Sequence, residues 1–265
     1  MKENIIEIRN LNYNNIFIDF NIAFPNNKFI SISGPNNCGK TTLIRILGRQ
    51  LVTRNSVYLS SNRIENYKIT DLSSIIQCVI PKEVDFVYQS LEDELKFNLN
   101  NTNLPTSSQD NLYKELIKIF KLGKYQKTDI NNVEPSTLIK IQLVLALSKK
   151  PQILLIDNIG NYVSKKEMAE ILQQLHAIQK KEEMTIIMAT NDLNEVIESD
   201  YLYIIYQGNI ILQGIPLEVL EKDNILNKIG LEVPFMIDLS VKLRDYDLIK
   251  DIELDMDRMV DKLWN

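Results

Sequence analysis

Residues Gly34-Pro35-Asn36-Asn37-Cys38-Gly39-Lys40-Thr41-Thr42 match the spacing G-x-x-x-x-G-K-[ST] at every fixed position. That spacing suits phosphate chemistry. Successive backbone N–H groups of such a loop, with the N-terminus of the helix that follows, form a concavity for anions. Lys40 then supplies an ammonium that reaches the β and γ phosphates of a nucleotide, and Thr41 offers a hydroxyl to Mg²⁺. A matching carboxylate lies downstream. Ile153-Leu154-Leu155-Ile156-Asp157 is an aliphatic run ending in an acid, which is how a central parallel strand delivers an Asp to the ligand-bearing edge of a sheet. Thr41 and Asp157 are therefore the candidate Mg²⁺ residues.

The elements around these residues fit. Phe29, Ile30 and Ile32 predict a buried strand before the loop, and Leu43, Ile44, Ile46 and Leu47 recur at helical spacing after it. Residues 5–8 and the alternating stretch 16–24 predict strands of an antiparallel layer, with Asn26-Asn27 turning the chain back. Residues 56–59 form a further short strand. Residues 75–80 are apolar enough to be buried on both faces before Pro81. From about 82 to 150 the period becomes helical, with Leu112, Leu116, Ile119 and Phe120 on one face and Ile139, Leu143, Val144 and Leu147 on another. Residues 98–105 read as a loop inside this helical insertion. After Asp157 come a helix from about Ser164 to Lys180, a strand at 185–189, a short helix with Leu193, Val196 and Ile197, and a hairpin around Gln207-Gly208-Asn209. Strands alternating with helices predict an α/β fold with a parallel-sheet core.

Composition narrows the function. The 265 residues are 45% hydrophobic and 25% charged, the mix of a globular protein. With 30 Lys+Arg against 35 Asp+Glu the formal charge is −5, which argues against a nucleic-acid partner. No apolar run approaches the ~20 residues of a membrane span, and Met1-Lys2-Glu3-Asn4 does not begin a signal peptide, so a cytosolic protein is expected, with any membrane role carried by a partner. Cys38 and Cys78 are not expected to pair. His176, the only histidine, lies in a predicted helix and reads as a packing or surface residue, which removes histidine acid–base chemistry.

In order and spacing the chain resembles the ATP-binding-cassette ATPases over roughly residues 3 to 225. The phosphate loop, the helical insertion, the strand ending in Asp157 and the switch stretch Thr190-Asn191-Asp192-Leu193 follow the family sequence. Residues 229–236, Ile-Gly-Leu-Glu-Val-Pro-Phe-Met, and 259–264, Met-Val-Asp-Lys-Leu-Trp, look like the C-terminal segment of energy-coupling-factor transporter ATP-binding subunits, more like the first than the second of the paired ATPases. The resemblance implies an ATP-binding-cassette domain at 1–228, with a helical subdomain at about 82–150, and a dimerisation appendix at 229–265. It implies ATP and Mg²⁺ as ligands, a second ATPase as partner, and a place at the cytoplasmic face of the membrane. There a membrane coupling protein holds exchangeable substrate-binding membrane proteins for vitamin or metal uptake. A soluble, non-transport regulator of the same fold is the alternative. The acidic cluster Glu92, Asp93 and Glu94 stands where family members dock the coupling protein.

Departures from the family pattern fall on the groups that hydrolyse. Asn158 stands where the family has the Glu that orients or deprotonates the attacking water, a group that supplies ~10²–10⁴ in rate. Asn191 replaces the switch histidine, Ile80 the expected glutamine (with Gln77 displaced), and Ser164 the loop Asp near the dimer seam. Val133-Glu134-Pro135-Ser136-Thr137 occupies the signature Leu-Ser-Gly-Gly-Gln, which in the family approaches the γ phosphate on the partner chain. Glu134 brings a negative charge there, and Pro135 has no N–H to give. The adenine-stacking position falls on Asn15, leaving Tyr13 as the substitute. Asn37 replaces a loop glycine, which Asn tolerates because it visits left-handed backbone conformations. The binding half, Lys40, Thr41 and Asp157, is kept, and no intact catalytic group is expected.

Overall fold

A computed structural model describes residues 4–81, 85–102 and 104–264. Residues 1–3, 82–84, 103 and 265, which fall within the expected domain ends, the helical insertion and its loop, lie outside the described residues. Four strands, β1 (Asn4–Tyr13), β2 (Phe17–Pro25), β4 (Val57–Leu59) and β5 (Asn62–Arg63), form an antiparallel sheet in the order β2-β1-β4-β5. A second sheet takes β3 (Phe29–Ser33), β6 (Ile76–Val79), β7 (Ile153–Asp157), β8 (Thr185–Thr190), β9 (Tyr201–Tyr206) and β10 (Asn209–Gly214) in the order β10-β9-β3-β8-β7-β6. Its pairs are parallel except β9 with β10. The helices are α1 (Lys40–Leu47), α2 (Ile69–Ile75), α3 (Leu91–Asn100), α4 (Thr106–Ile119), α5 (Pro135–Ser148), α6 (Lys165–Glu182), α7 (Pro216–Leu220), α8 (Asp223–Lys228), α9 (Phe235–Asp245) and α10 (Met256–Trp264).

The aliphatic runs form central strands because both faces of the larger sheet are covered. Along β7, Ile153 and Leu155 pack with α1 and the antiparallel layer, while Leu154 and Ile156 pack with α3, α4, α5 and α6. Period two divides one strand between two cores. Each such side chain contributes ~1.5–3 kcal/mol by leaving water. Together these layers make an α/β ATP-binding-cassette fold with an antiparallel β subdomain, a parallel-sheet core, a helical subdomain and a small helical C-terminal appendix.

The structure refines three expectations. Asn26-Asn27 does not turn β2 back on itself; it passes the chain to the other sheet, where the Asn27 N–H donates to Thr185 Oγ1 at 2.9 Å. The stretch 75–80 is buried on both faces, with Ile76 in one core and Val79 in the other, yet β6 is the sheet's edge rather than a central strand and leaves Gln77 and Cys78 half-buried. In the appendix, Leu231 is buried but Phe235 is 65% exposed, and the residues that anchor it are Ile237 and Val241, packed in one cluster with Leu193, Val196, Val219 and Leu226. The tail therefore covers its own domain, and cutting it away would bare that cluster.

Other readings hold locally. Ser164 caps α6 in a reciprocal box with Glu167. His176 stacks on Phe29 with ring centroids 4.1 Å apart, and burial lowers its pKa, as suits a packing residue. Cys38 and Cys78 are both free thiols, and burial pushes Cys78 up to about 12. No helix among the described residues is long and apolar enough to cross a membrane.

Candidate nucleotide site

The phosphate loop joins the end of β3 to the start of α1 and requires glycine at both ends. At Gly34, with φ +156°, an added Cβ would lie 2.1 Å from the Ile205 carbonyl oxygen. At Gly39, with φ +107°, it would strike the Phe17 ring at 2.7 Å. Asn37 sits at φ +64°, the left-handed region its side chain tolerates. No side chain caps α1, so its first-turn N–H groups stay available to an anion.

Lys40 is 5% exposed, and its ammonium lies inside the loop, donating to the carbonyls of Gly34 at 2.6 Å and Pro35 at 2.9 Å. Burial pushes its pKa down, while Cys38 and Asp157 act in the opposite sense. A cavity of about 320 Å³ opens over Asn36, Asn37, Lys40, Thr41 and Thr42, and its far wall is made by Asn158 and Asn191. Phosphates entering there would compete with the loop carbonyls for Lys40. Across the cavity, Asn191 Nδ2 donates to Asn36 Oδ1 at 2.8 Å, leaving a second amide proton for another acceptor.

Asp157 is 5% exposed and ends β7 beside this cavity. Asn158, next in sequence, has φ +46° and ψ +43°, and its N–H donates to Ala189 O at 2.9 Å. A Glu in this left-handed position would be strained by ~1–2 kcal/mol, so the backbone itself favours Asn here. Ile80 is buried in the core, and Gln77 Nε2 donates to the carbonyls of Ser73 and Ile76; neither residue reaches the cavity.

Tyr13, the expected adenine-stacking residue, ends β1. It is half-buried against the main core, and the residue that lines the cavity at this end of the β1–β2 turn is Ile16. Val133-Glu134-Pro135-Ser136-Thr137 opens α5, with exposed Glu134 at the N-cap, exposed Pro135 in the first turn, and Thr137 buried. Proline costs the helix nothing there, because its missing N–H would have had no partner within the helix.

The acidic cluster on α3 also needs correction. Glu94 is 5% exposed, and its carboxylate accepts the N–H groups of Val87 at 2.9 Å and Tyr88 at 2.8 Å. Glu92 pairs with Lys96 at 2.5 Å, and Asp93 accepts from Ser90 Oγ at 2.6 Å. Beside Glu92 and the exposed Asp93, this surface presents apolar side chains: exposed Val87, with Tyr88 and Phe97 in contact at 5.5 Å between ring centroids.

Residues 17–161, more than half of the chain, match the family model described as ABC transporter. The chain belongs to the ABC transporter family. Within it, one relative is the energy-coupling factor transporter ATP-binding protein EcfA1 of Mycoplasma mobile, 25% identical over 231 residues that cover 86% of this chain and 84% of the relative. Another is the spermidine/putrescine import ATP-binding protein PotA of Clostridium novyi, 29% identical over 225 residues, 83% of this chain and 64% of that one. Among solved structures, cbiO1 from Clostridium perfringens, part of the ABC transporter complex cbiONQ, superposes with a TM-score of 0.74 at 22% identity, covering 89% of this chain and 98% of its own.

One residue of this ABC-family site escaped sequence reasoning. Thr190 Oγ1 donates to Glu195 Oε2 at 2.5 Å, and burial raises the Glu195 pKa. Glu195 lines a cleft of about 690 Å³ that shares Asn158 and Asn191 with the phosphate cavity and is closed on the other side by the appendix. The only signal in the sequence is an acid five residues after Thr190, which without a fold says nothing.

Proposed function

We propose that the chain is an ATP-binding energising subunit of an energy-coupling-factor membrane transporter for vitamin or metal-ion uptake. It pairs with a second, more complete ATPase under a membrane coupling protein, at the cytoplasmic face of the membrane. One observation carries the nucleotide part of this reading: the phosphate loop with Lys40 and Thr41 forms one side of a cavity whose other side is two amides, Asn158 and Asn191. Such a site binds Mg-ATP and hydrolyses it poorly, since an amide has no basicity with which to take a proton from water. A hydroxyl at Thr41 and a carboxylate at Asp157 are hard oxygen donors of the kind Mg²⁺ prefers, and the ion when bound neutralises phosphate charge.

The transporter part rests on the similarity to EcfA1 and on exposed apolar surface in two places. Val87, Tyr88 and Phe97 suit a membrane coupling subunit, and Phe235, Val260 and Trp264 on the appendix suit a paired ATPase. The tagged chain, expressed in its native cell and purified from membranes in mild detergent, is expected to bring down a second ATPase and an integral membrane protein. Recovery wholly in the soluble fraction, with no such partners, would contradict the transporter reading and favour a soluble regulator.

A further inference from the structure

Gly160 and Glu195 fit together in a way that the nucleotide site has not yet used. A Cβ on Gly160 would lie 2.0 Å from Glu195 Oε1, so the carboxyl fills the space that any other side chain at 160 would take. Its other oxygen accepts from Thr190 Oγ1 at 2.5 Å, and that hydroxyl in turn accepts the Asp192 N–H at 3.1 Å. Gly160 lies two residues beyond Asn158, and Thr190 immediately precedes Asn191. One carboxyl thus bridges the two segments that carry the amides of the cavity's far wall.

We infer that Glu195 is a positioning residue: seated over Gly160 and held by Thr190, it fixes Asn158 and Asn191 where they meet the terminal phosphate of a bound nucleoside triphosphate. This inference rests on the nucleotide-binding reading and deepens it. Amides at that wall touch a γ phosphate and nothing of a diphosphate, so Glu195 sets the preference for ATP over ADP without touching either. The carboxyl's hydrogen bond needs only an acceptor oxygen, which glutamine also has. Burial raises the Glu195 pKa.

The test measures Mg-ATP and Mg-ADP affinities, and melting temperature without nucleotide, for the full chain and four variants. Gly160→Ala keeps every polar group and adds one methyl, and Gly160 is absent from the residues with positive φ, so alanine brings no backbone strain. Gly160→Ala and Glu195→Ala are each expected to weaken ATP about tenfold and ADP less than twofold, a ~1.4 kcal/mol loss confined to the triphosphate. Combined, they should cost no more than either alone, because both remove the same contact. Glu195→Gln should retain the wild-type ratio. Equal weakening of both nucleotides, an unchanged ratio in Gly160→Ala, or a Glu195→Gln variant as impaired as Glu195→Ala would overturn the inference while leaving the functional proposal standing. Wild-type protein that binds neither nucleotide overturns both.

Discussion

Lys40→Ala is expected to weaken Mg-ATP binding by at least ~100-fold. Hydrogen bonds from a charged group contribute ~1.5–3 kcal/mol each, and an ammonium shared by two phosphates makes two of them, so the expected loss is ~3–6 kcal/mol. The variant also leaves the Gly34 and Pro35 carbonyls without the donor they have at 2.6 and 2.9 Å, so some loop order is lost with the charge. The two effects separate in a thermal melt. Without nucleotide the variant should melt slightly below wild type, whereas the rise that saturating Mg-ATP gives wild type, ~2.7 kcal/mol at a hundred times the dissociation constant, should vanish. Retention of that rise would mean that the loop does not carry the phosphates.

Restoring Ser-Gly-Gly-Gln at positions 134–137 in the paired complex should raise ATP turnover tenfold or more, and Asn158→Glu alone should add little. In the proposed pair, each site joins one chain's phosphate loop to the other chain's signature, so Glu134 and Pro135 face the partner's nucleotide. Replacing Glu134 removes a charge near the γ phosphate, and replacing Pro135 restores an N–H where charge develops; one such donor is worth ~10²–10³ in rate. Asn158→Glu acts on the other site, where φ +46° strains the new side chain and, in the proposed reading, Asn191 still stands in for the switch histidine. Thr137 is buried, so its enlargement to Gln carries a packing cost of ~1–3 kcal/mol. The comparison therefore needs a melt of each complex beside the rates. A larger gain from Asn158→Glu than from the signature would reverse the assignment of the two sites.

The parts of this site that were legible in the sequence are those that local pattern determines. Gly34 to Thr42 has a fixed spacing, and the run 153–157 declares a two-sided strand because no polar residue interrupts it before Asp157. What was not legible depends on contacts between distant segments or on backbone angles. Glu94 looked like one of three surface acids, yet it folds back on the Val87 and Tyr88 N–H groups. Asn158 looked like a simple loss of the acid, and its left-handed backbone gives a second reason for Asn. Ile16 was not singled out, because only the fold brings the end of the β1–β2 turn to the cavity, where Tyr13 stays half-buried beside the core. Ile237 and Val241 did not stand out because an amphipathic stretch does not say which of its apolar residues meets the domain.

The most direct measurement is a single turnover on the purified chain: radiolabelled ATP with Mg²⁺, protein in excess, bound nucleotide and released phosphate followed together. The expected result is saturable ATP binding with the γ phosphate still attached after many minutes. Phosphate release at ~1 s⁻¹ or faster, within the ordinary enzyme range, would contradict the proposed ATP-holding subunit, in which Asn158 and Asn191 take the places of a catalytic acid and a switch histidine.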